Sequence, residues 1–307
     1  MNAKCNLIID SCCDLPFEVV DRPSVELLKF PYVSEYGERL DDLFVTRTAH
    51  DFYESMRKGE HPKTAQIPYV DMISAFERAI VSGVPTVYLA FSSGLSGNFE
   101  TACMIRDKLI EENPSAELYL VDTKLASIAE GLLVYEAIRQ QDRGLSAQEL
   151  AQWAEEARFF VRSIFMIDDL EHLARGGRMP VSISHAGAKL DVKPLLGFDL
   201  TGKLTFMSVA RGRKKAIRQM VDYYAKHATD TPGQRIIVGN ADCPKDAERL
   251  MDAVTKVDET VPIVCANTGP VIGCHVGPGM LSMVFWGRDL REDLSVADRI
   301  ALKIKGE

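Results

Sequence analysis

Residues 84–102, VPTVYLAFSSGLSGNFETA, pass from an apolar run to a helical pattern through a corner rich in serine and glycine. The apolar run predicts a buried strand, because a short uninterrupted run that ends at turn residues is typical of one. From Asn98 onward the spacing of apolar residues predicts an amphipathic helix. The hydroxyl groups of Ser92, Ser93 and Ser96 therefore stand between a strand and a helix, where they either cap the helix or hold a ligand.

The rest of the first half repeats this alternation of strand and helix. Apolar runs at 5–9 and 117–121 predict two further strands, with helical spacing between the strands. Strands separated by helices indicate βαβ crossovers and a parallel sheet, which binds ligands at the carboxyl ends of its strands. Polar pairs follow three of these strands: Asp10-Ser11, Ser92-Ser93 and Asp122-Thr123.

The second half has the rhythm of an α+β domain. Apolar segments at 192–198 and 203–209 flank the turn sequence DLTG, which predicts a β-hairpin, and a helix is expected from Lys214. Further strands are expected at 163–167, 235–238, 262–266 and 281–286.

The length of 307 residues is enough for two domains of ordinary size. We expect an α/β protein with an N-terminal parallel-sheet α/β domain at 1–160 and a C-terminal α+β domain at 161–307. The chain carries 36 Lys and Arg against 44 Asp and Glu, a formal net charge of −8, which argues against binding to nucleic acid. No apolar run approaches the ~18 residues of a membrane span, and the N-terminus lacks a signal-peptide pattern. We therefore expect a cytoplasmic protein with no stable membrane insertion.

The seven cysteines include no CxxC pair, and no histidine lies at zinc-finger spacing from two of them. We therefore expect reduced thiols and no metal site. Cys12 and Cys13 follow the carboxyl end of the first predicted strand. They lie either beside a ligand at that end of the sheet or in ordinary packing.

Thr64 and His275 lie in segments that are predicted to be loops. Thr64 stands between Pro62 and Pro68, which leave too few residues for an element, and His275 precedes an apolar strand. Each is either a structural residue or, through its hydroxyl or imidazole group, part of a binding site.

Two segments concentrate positive charge. Arg175 and Arg178 flank a pair of glycines, and RGRKK at 211–215 begins a predicted helix. Cations are disfavoured at the start of a helix, and an anion supplied from outside relieves that conflict. The alternative is ordinary solvated surface charge.

The serine corner also fits an enzyme, an acyl hydrolase or transferase that uses Ser93 or Ser96 with His275. However, GLSGN at 94–98 lacks the second glycine of a GxSxG elbow. The chain also has no GxxxxGK[ST] loop, so chemistry with ATP falls more naturally to another protein.

Taken together, these segments resemble the DegV family of bacterial fatty-acid-binding proteins. Eight matching pieces run in family order: 9–16, 64–68, 92–97, 121–133, 170–179, 190–196, 211–216 and 275–279. The resemblance implies two domains with a long-chain fatty acid, and no other cofactor, in a tunnel between them. It also implies that the chain is not itself a catalyst but the acyl-carrying subunit of a fatty acid kinase, whose separate ATP-binding protein phosphorylates the carboxylate.

The resemblance also implies roles for individual residues. Thr64 and Ser93 are expected to hold the carboxylate, and Ser92 and Ser96 to shape the loop. Arg211 and His275 are expected beside the head group.

The kinase expected from the resemblance must approach the carboxylate, and a local positive rim would steer that encounter. We expect Arg175, Arg178, Arg213 and Lys214 to form this rim. The tunnel also needs apolar walls, although the same side chains would equally suit a plain core. The candidates are Phe165, Met166, Ile167, Leu195, Met280 and Phe285.

Overall fold

The computed structural model describes residues 3–180, 192–229 and 234–297, together with Ile304. The first two residues of the matching piece 190–196 lie outside the described residues. The strands of the described residues are β1 (Asn6–Asp10), β2 (Val25–Leu28), β3 (Pro31–Ser34), β4 (Gly37–Leu40), β5 (Lys63–Thr64), β6 (Thr86–Ala90), β7 (Leu118–Asp122), β8 (Val161–Met166), β9 (Val192–Phe198), β10 (Leu204–Arg211), β11 (Ile236–Asn240), β12 (Ile263–Asn267) and β13 (Leu281–Trp286). The α-helices are α1 (Phe17–Val20), α2 (Ala49–Arg57), α3 (Tyr69–Ser82), α4 (Asn98–Glu112), α5 (Ile128–Asp142), α6 (Ala147–Ala157), α7 (Glu171–Arg175), α8 (Arg213–His227), α9 (Pro244–Thr255) and α10 (Pro270–Val276).

The first sheet has four parallel strands in the order β2-β1-β6-β7, which confirms the predicted parallel sheet. Its strands alternate between two cores, as the two-residue period of a strand requires. Leu7 and Ile9 pack on the side of α5, whereas Ile8 packs on the other side with residues of α3 and α4, among them Phe76 and Ile105.

The second large sheet has six strands in the order β10-β9-β8-β13-β11-β12 and is mixed. The predicted hairpin is confirmed, because β9 and β10 pair antiparallel from Phe198–Leu204 to Val192–Arg211. One side of this sheet packs against α8 and α9, with Met166 and Met283 in that core. The other side turns toward α5, through Ile237 and Val284.

Helix α5 therefore lies between the two large sheets. A single core cluster contains Leu7 of the first sheet, Leu132 and Leu133 of the helix, and Val284 of the second sheet. A helix that is apolar around its circumference is stable only when it is covered on all sides. From one side of the molecule to the other, the layers are helices α3 and α4, the four-stranded sheet, helices α5 and α6, the six-stranded sheet, and helices α8 and α9.

The strands of the first sheet all precede residue 160, and those of the six-stranded sheet all follow it. We therefore propose to keep the division into 1–160 and 161–307. The two parts nevertheless share the core around α5. Within the described residues, no helix combines the length and the apolar character needed to cross a bilayer.

Two loop predictions are wrong. Lys63 and Thr64 form β5, which pairs with β3 of a small antiparallel sheet of order β4-β3-β5. A two-residue strand leaves no periodic signal, since its conformation is set by the partner that it joins. His275 lies in the last turn of α10, which begins at Pro270 and is too short to show a helical period.

The second part of the chain is joined to the serine corner at the turn of the β9–β10 hairpin. Ser92 Oγ donates a hydrogen bond of 2.9 Å to the carbonyl oxygen of Gly202. Gly202 has a positive φ of 78°, and a Cβ atom there would lie 2.1 Å from Ser92 Oγ and 2.9 Å from Lys124 Cα. Only glycine fits this approach.

We predict that Gly202→Ala lowers the free energy of unfolding in urea by about 2–4 kcal/mol, the sum of left-handed strain and overpacking. Gly37→Ala is the matched control, because Gly37 also has a positive φ but a Cβ atom there would meet nothing within 4 Å. It should cost only the strain, about 1–2 kcal/mol. Equal losses in the two variants would show that the contact between the hairpin and the serine corner contributes nothing.

Candidate functional site

An apolar cavity of about 240 Å³ lies between the two parts of the chain. A single water molecule needs about 10–15 Å³ on the same measure, so this space is far larger than a packing defect. Phe30, Phe91 and Leu95 line it from the first part. From the second part its apolar lining includes Phe165, Phe198, Val271 and Met280.

Thr64 and His275 form a polar pair in the wall of this cavity. Thr64 Oγ1 and His275 Nε2 are 2.9 Å apart and share a hydrogen bond. The two residues come from opposite parts of the chain, Thr64 from β5 and His275 from α10. The pair therefore links the two parts at the site.

The imidazole of His275 is neutral near neutral pH. Burial and the nearby Arg178 lower the pKa of His275 to about 4. Among the described residues, its buried Nδ1 has no hydrogen-bond partner. A neutral imidazole has one donor and one acceptor nitrogen, so the ring can either donate to Thr64 or accept from it.

The three serines of the corner have different surroundings. Ser92 is fully buried and holds the hairpin turn, as described above. Ser93 Oγ lies 2.8 Å from Lys124 Nζ, and its backbone N–H donates to Asp122 Oδ1 at 3.1 Å. Ser96 lines the cavity, and its Oγ accepts from the first backbone N–H of α4 at 3.3 Å.

A serine–histidine pair does not form in the described residues. His275 bonds to Thr64, and Ser93 bonds to Lys124. Neither Ser93 nor Ser96 shares a hydrogen bond with His275 in this part of the chain, so the serine–histidine pair expected for the enzyme alternative is not formed there.

Arg178, which was expected in the rim, and Arg211, which was expected beside the head group, occupy different places. Arg178 lines the cavity, and its Nε donates to the carbonyl oxygen of Leu95 at 3.1 Å. Arg211 is exposed at the end of β10 and does not line the cavity.

The other cations lie farther out. Arg213 forms ion pairs with Asp168, at 2.7 Å, and with Asp246, so that its charge is already neutralised locally. Lys214 is exposed, and Arg175 is exposed beside His61.

Of the expected wall residues, Phe165 and Met280 line the cavity. The other four are core residues of the second part: Met166, Ile167, Leu195 and Phe285. Sequence reasoning missed Phe198 and Ser127, which also line the cavity. Ser127 lies in the matching piece 121–133 and has a positive φ of 56°, which no apolar period reveals.

Both thiols of the Cys12-Cys13 pair are free and fully buried. Cys12 lines the cavity, whereas Cys13 packs in the core around α5. Burial, first of all, and the neighbouring carboxyl groups raise the pKa of both thiols well above the usual range. Protonated thiols are poor nucleophiles, so neither is activated in this structure.

Besides Asp122, four carboxyl groups that are at most 2% exposed lie near the carboxyl end of the first sheet: Asp10, Asp14, Asp41 and Glu130. Asp10 accepts hydrogen bonds from Phe91 N at 2.8 Å and from Tyr88 Oη at 3.1 Å, yet burial raises its pKa to about 6. Burial raises the pKa of Asp41 to about 7. Burial and a neighbouring carboxyl group raise the pKa of Asp14 and of Glu130 well above the usual range. No group of three or more potential ligands among the described residues is arranged to hold a metal ion.

A two-part α/β protein with an apolar cavity between its parts has an architecture in which small-molecule sites are common. The chain belongs to the DegV family, since residues 4–288 match the family described as "Uncharacterised protein, DegV family". It is 33% identical over 281 residues to a DegV domain-containing protein of Clostridium perfringens, covering 92% of this chain and 97% of that protein. The family resemblance seen in the sequence is therefore confirmed.

Solved structures share the fold. The chain matches a DegV lipid-binding protein from Thermotoga maritima with a TM-score of 0.78 and 26% identity, over 93% of this chain and 99% of that one. It matches DegV, a fatty-acid-binding protein from Bacillus subtilis, with a TM-score of 0.79 and 25% identity, over 94% of this chain and 100% of that one. The predicted fold class is confirmed.

The buried carboxyl groups predict how stability depends on pH. Asp10 and Asp41 have pKa values raised from 3.8 to about 6 and about 7, so the native chain binds more protons than the unfolded chain between these values. Their contribution is complete below pH ~4 and is lost as the pH rises through the folded pKa values, at about 1.4 kcal/mol per pH unit for each group.

We therefore predict that the free energy of unfolding in urea falls between pH 4 and pH 7. The lowered pKa of His275 opposes this fall between about pH 4 and pH 6.5, but with the slope of one group against several carboxyl groups. Glu130→Gln keeps the shape of a neutral carboxyl group and removes its titration, so the fall should be shallower in this variant. Glu112→Gln, at an exposed position at the end of α4, should behave like the wild type. A stability that is constant or rises over this pH interval would contradict the prediction.

Proposed function

We propose that the chain binds a long-chain fatty acid, with the tail in the apolar cavity and the carboxylate at Thr64, whose hydroxyl group is oriented by His275. The observation that carries this proposal is an apolar cavity with a hydroxyl–imidazole pair in its wall. The two structural relatives described above, which are named as lipid-binding and fatty-acid-binding proteins, support it.

The energetics assign different tasks to the tail and the head group. Burying about 14 methylene groups gains about 11 kcal/mol before the costs of association, whereas one hydrogen bond to a charged group contributes about 1.5–3 kcal/mol. The apolar walls therefore set the affinity. The hydroxyl groups fix the position of the carboxylate.

Thr64 can donate to a carboxylate only with the help of His275. A hydroxyl group carries a single proton, so that proton is free for the ligand only if His275 Nε2 is the donor in the bond to Thr64 Oγ1. In this tautomer Nδ1 is unprotonated. The unpaired Nδ1 atom is then a hydrogen-bond acceptor without a donor, not a buried N–H group without an acceptor.

We further propose that the bound carboxylate is presented to a separate ATP-binding kinase. A carboxylate oxygen attacks the terminal phosphorus of ATP, an O–P bond forms, the bond from that phosphorus to the bridging oxygen breaks, and ADP leaves with the electron pair. The absence of a GxxxxGK[ST] loop from the sequence supports a second protein as the source of ATP. Ser93 stays in this proposal as a second hydroxyl group that holds the carboxylate, and Ser92 and Ser96 as residues that shape the loop. Arg211 stays as a residue that acts only if it moves toward the ligand.

We predict that Thr64→Val and Ser93→Ala keep most of the fatty acid but lose its phosphorylation. The bound acid is quantified by native mass spectrometry, and acyl phosphate is measured with the purified kinase. One hydrogen bond is small beside the tail, so copurified acid should persist while the rate falls by about 100-fold or more.

Thr205→Val is the matched control for Thr64→Val, because Thr205 is also a half-buried strand threonine but does not line the cavity. Loss of the fatty acid from a folded Thr64→Val protein would contradict the assignment of affinity to the tail. Hydrolysis of acyl esters by the wild type, abolished in Ser93→Ala, would establish the enzyme alternative instead.

A second prediction concerns the expected positive rim, Arg175, Arg178, Arg213 and Lys214. Because Arg213 is held in ion pairs, the sharpest test is the exposed Lys214. Lys214→Glu should slow acyl-phosphate formation several-fold at low salt and make it less sensitive to salt, since rim charges act on association. Lys108→Glu, an exposed change of the same charge on α4, should leave the rate unchanged. Equal rates for both variants would remove Lys214 from the rim.

A further inference from the structure

Two serine hydroxyl groups line the apolar cavity away from the Thr64–His275 pair. Ser163 lies on β8 and Ser282 on the neighbouring strand β13, and both residues line the cavity. Neither has a role in the proposed function. An unsubstituted alkyl chain offers no hydrogen bond, so burying a serine hydroxyl group against it is unfavourable.

The register of the two strands shows that these serines are neighbours. β8 and β13 pair antiparallel, with Phe165 opposite Ser282 and Ser163 opposite Val284. Ser163 and Ser282 are therefore diagonal neighbours on one side of the sheet, and such residues lie about 7–8 Å apart. One hydroxyl group of a ligand can reach both side chains, because each O–H···O bond spans about 2.8 Å.

The serine pair lies along the tail of the ligand and not at its head group. His275 packs against Gly176, on the segment that follows β8, because a Cβ atom at Gly176 would lie 2.2 Å from His275 Nδ1. Ser163 lies three residues before the end of β8, which is about 10 Å deeper at a strand rise of about 3.3 Å per residue. Val161 and Val284 on the same side of the sheet belong to the core around α5 and do not line the cavity. Ser163 is therefore near the inner limit of the cavity along these strands.

The two side chains offer complementary hydrogen-bonding roles. Ser282 Oγ donates to the carbonyl oxygen of Gly239 at 3.2 Å, so its oxygen remains an acceptor for a further donor. Within residues 3–180, 192–229 and 234–297, Ser163 Oγ has no hydrogen-bond partner, so its proton is free for a ligand. A ligand hydroxyl group has one proton and two lone pairs, and it can donate to Ser282 while it accepts from Ser163.

We propose that the cavity accepts a long-chain fatty acid with a hydroxyl group on its alkyl chain, and that Ser163 and Ser282 select it. This inference rests on the proposed function, which holds the carboxylate. An apolar wall alone rejects a hydroxylated chain, because a buried hydroxyl group without a partner lowers affinity about five- to 150-fold. The serine pair removes this penalty at one depth of the cavity.

The probes are octadecanoic acid and two hydroxylated forms of it, one with the hydroxyl group at mid-chain and one with it on the terminal carbon. Calorimetry on the delipidated protein gives the ratio of the affinity for each hydroxylated acid to the affinity for octadecanoic acid. We expect the better hydroxylated acid to bind the wild type no more than about threefold more weakly than octadecanoic acid. Which of the two it is identifies the part of the chain that reaches the serines.

Ser163→Ala should lower this ratio about fivefold or more, because only the hydroxylated acid loses a partner. Binding of octadecanoic acid should persist, which shows that the variant is folded. Ser163→Thr keeps the hydroxyl group and should keep the ratio. Ser208→Ala is the matched control, because Ser208 is also a half-buried strand serine but does not line the cavity.

The two proposals fail in different ways. The selection of a hydroxylated acid is wrong, and the fatty-acid site stands, if both hydroxylated acids bind the wild type more than about threefold more weakly than octadecanoic acid. The same conclusion follows if Ser163→Ala lowers the ratio by less than about fivefold. If the wild type binds none of the three acids, the proposed function falls and this inference falls with it.

Discussion

Helix α5 can be stable only when it is covered on all sides, and most of the architecture follows from that constraint. Its buried positions include Ile128, Leu132, Leu133, Ala137 and Ile138, which point in every direction around the helix. One sheet covers one side and a second sheet covers another, so the two parts of the chain are pressed together over a common core. Gly131 allows the same helix to approach the carbonyl oxygen of Cys13, where a Cβ atom would lie only 2.3 Å away.

The apolar cavity lies at one end of this packing. Ser127 and Ile128, at the N-terminal end of α5, line it together with residues of both parts of the chain. Three aspartates, Asp10, Asp14 and Asp41, are buried near the carboxyl end of the first sheet but do not line the cavity.

The sequence predicted the elements whose signal is local and long. The helix from Asn98 and the hairpin around DLTG are present with nearly the predicted ends, because fifteen residues of helical period and a turn between alternating strands are strong patterns. It failed at β5 and α10, which have two and seven residues and take their conformation from neighbours far away in sequence. Thr64 and His275 lie on these two elements. Their residue types marked them as candidates, but their mutual contact is a product of tertiary packing that no spacing in the chain encodes.

The residues of the cavity wall show the same limit of prediction from sequence. Phe165 and Phe285 have similar apolar surroundings in the sequence, yet one lines the cavity and the other fills a core against Tyr224. A strand gives alternate side chains to opposite sides, and which side faces a void depends on how the sheets are stacked. The sequence was equally ambiguous about the surroundings of its basic residues. Arg211 and Arg213 are two residues apart, but one is exposed and the other is held by two aspartates.

The shared core around α5 bears on whether the two parts can exist separately. A chain cut at residue 160 would leave α5 attached to the first part, with the side that faces Ile237 and Val284 open to water. The second part would in turn expose one side of its six-stranded sheet. Such a protein behaves as one cooperative unit although its chain reads as two modules, and a fragment of either half is expected to aggregate rather than to fold.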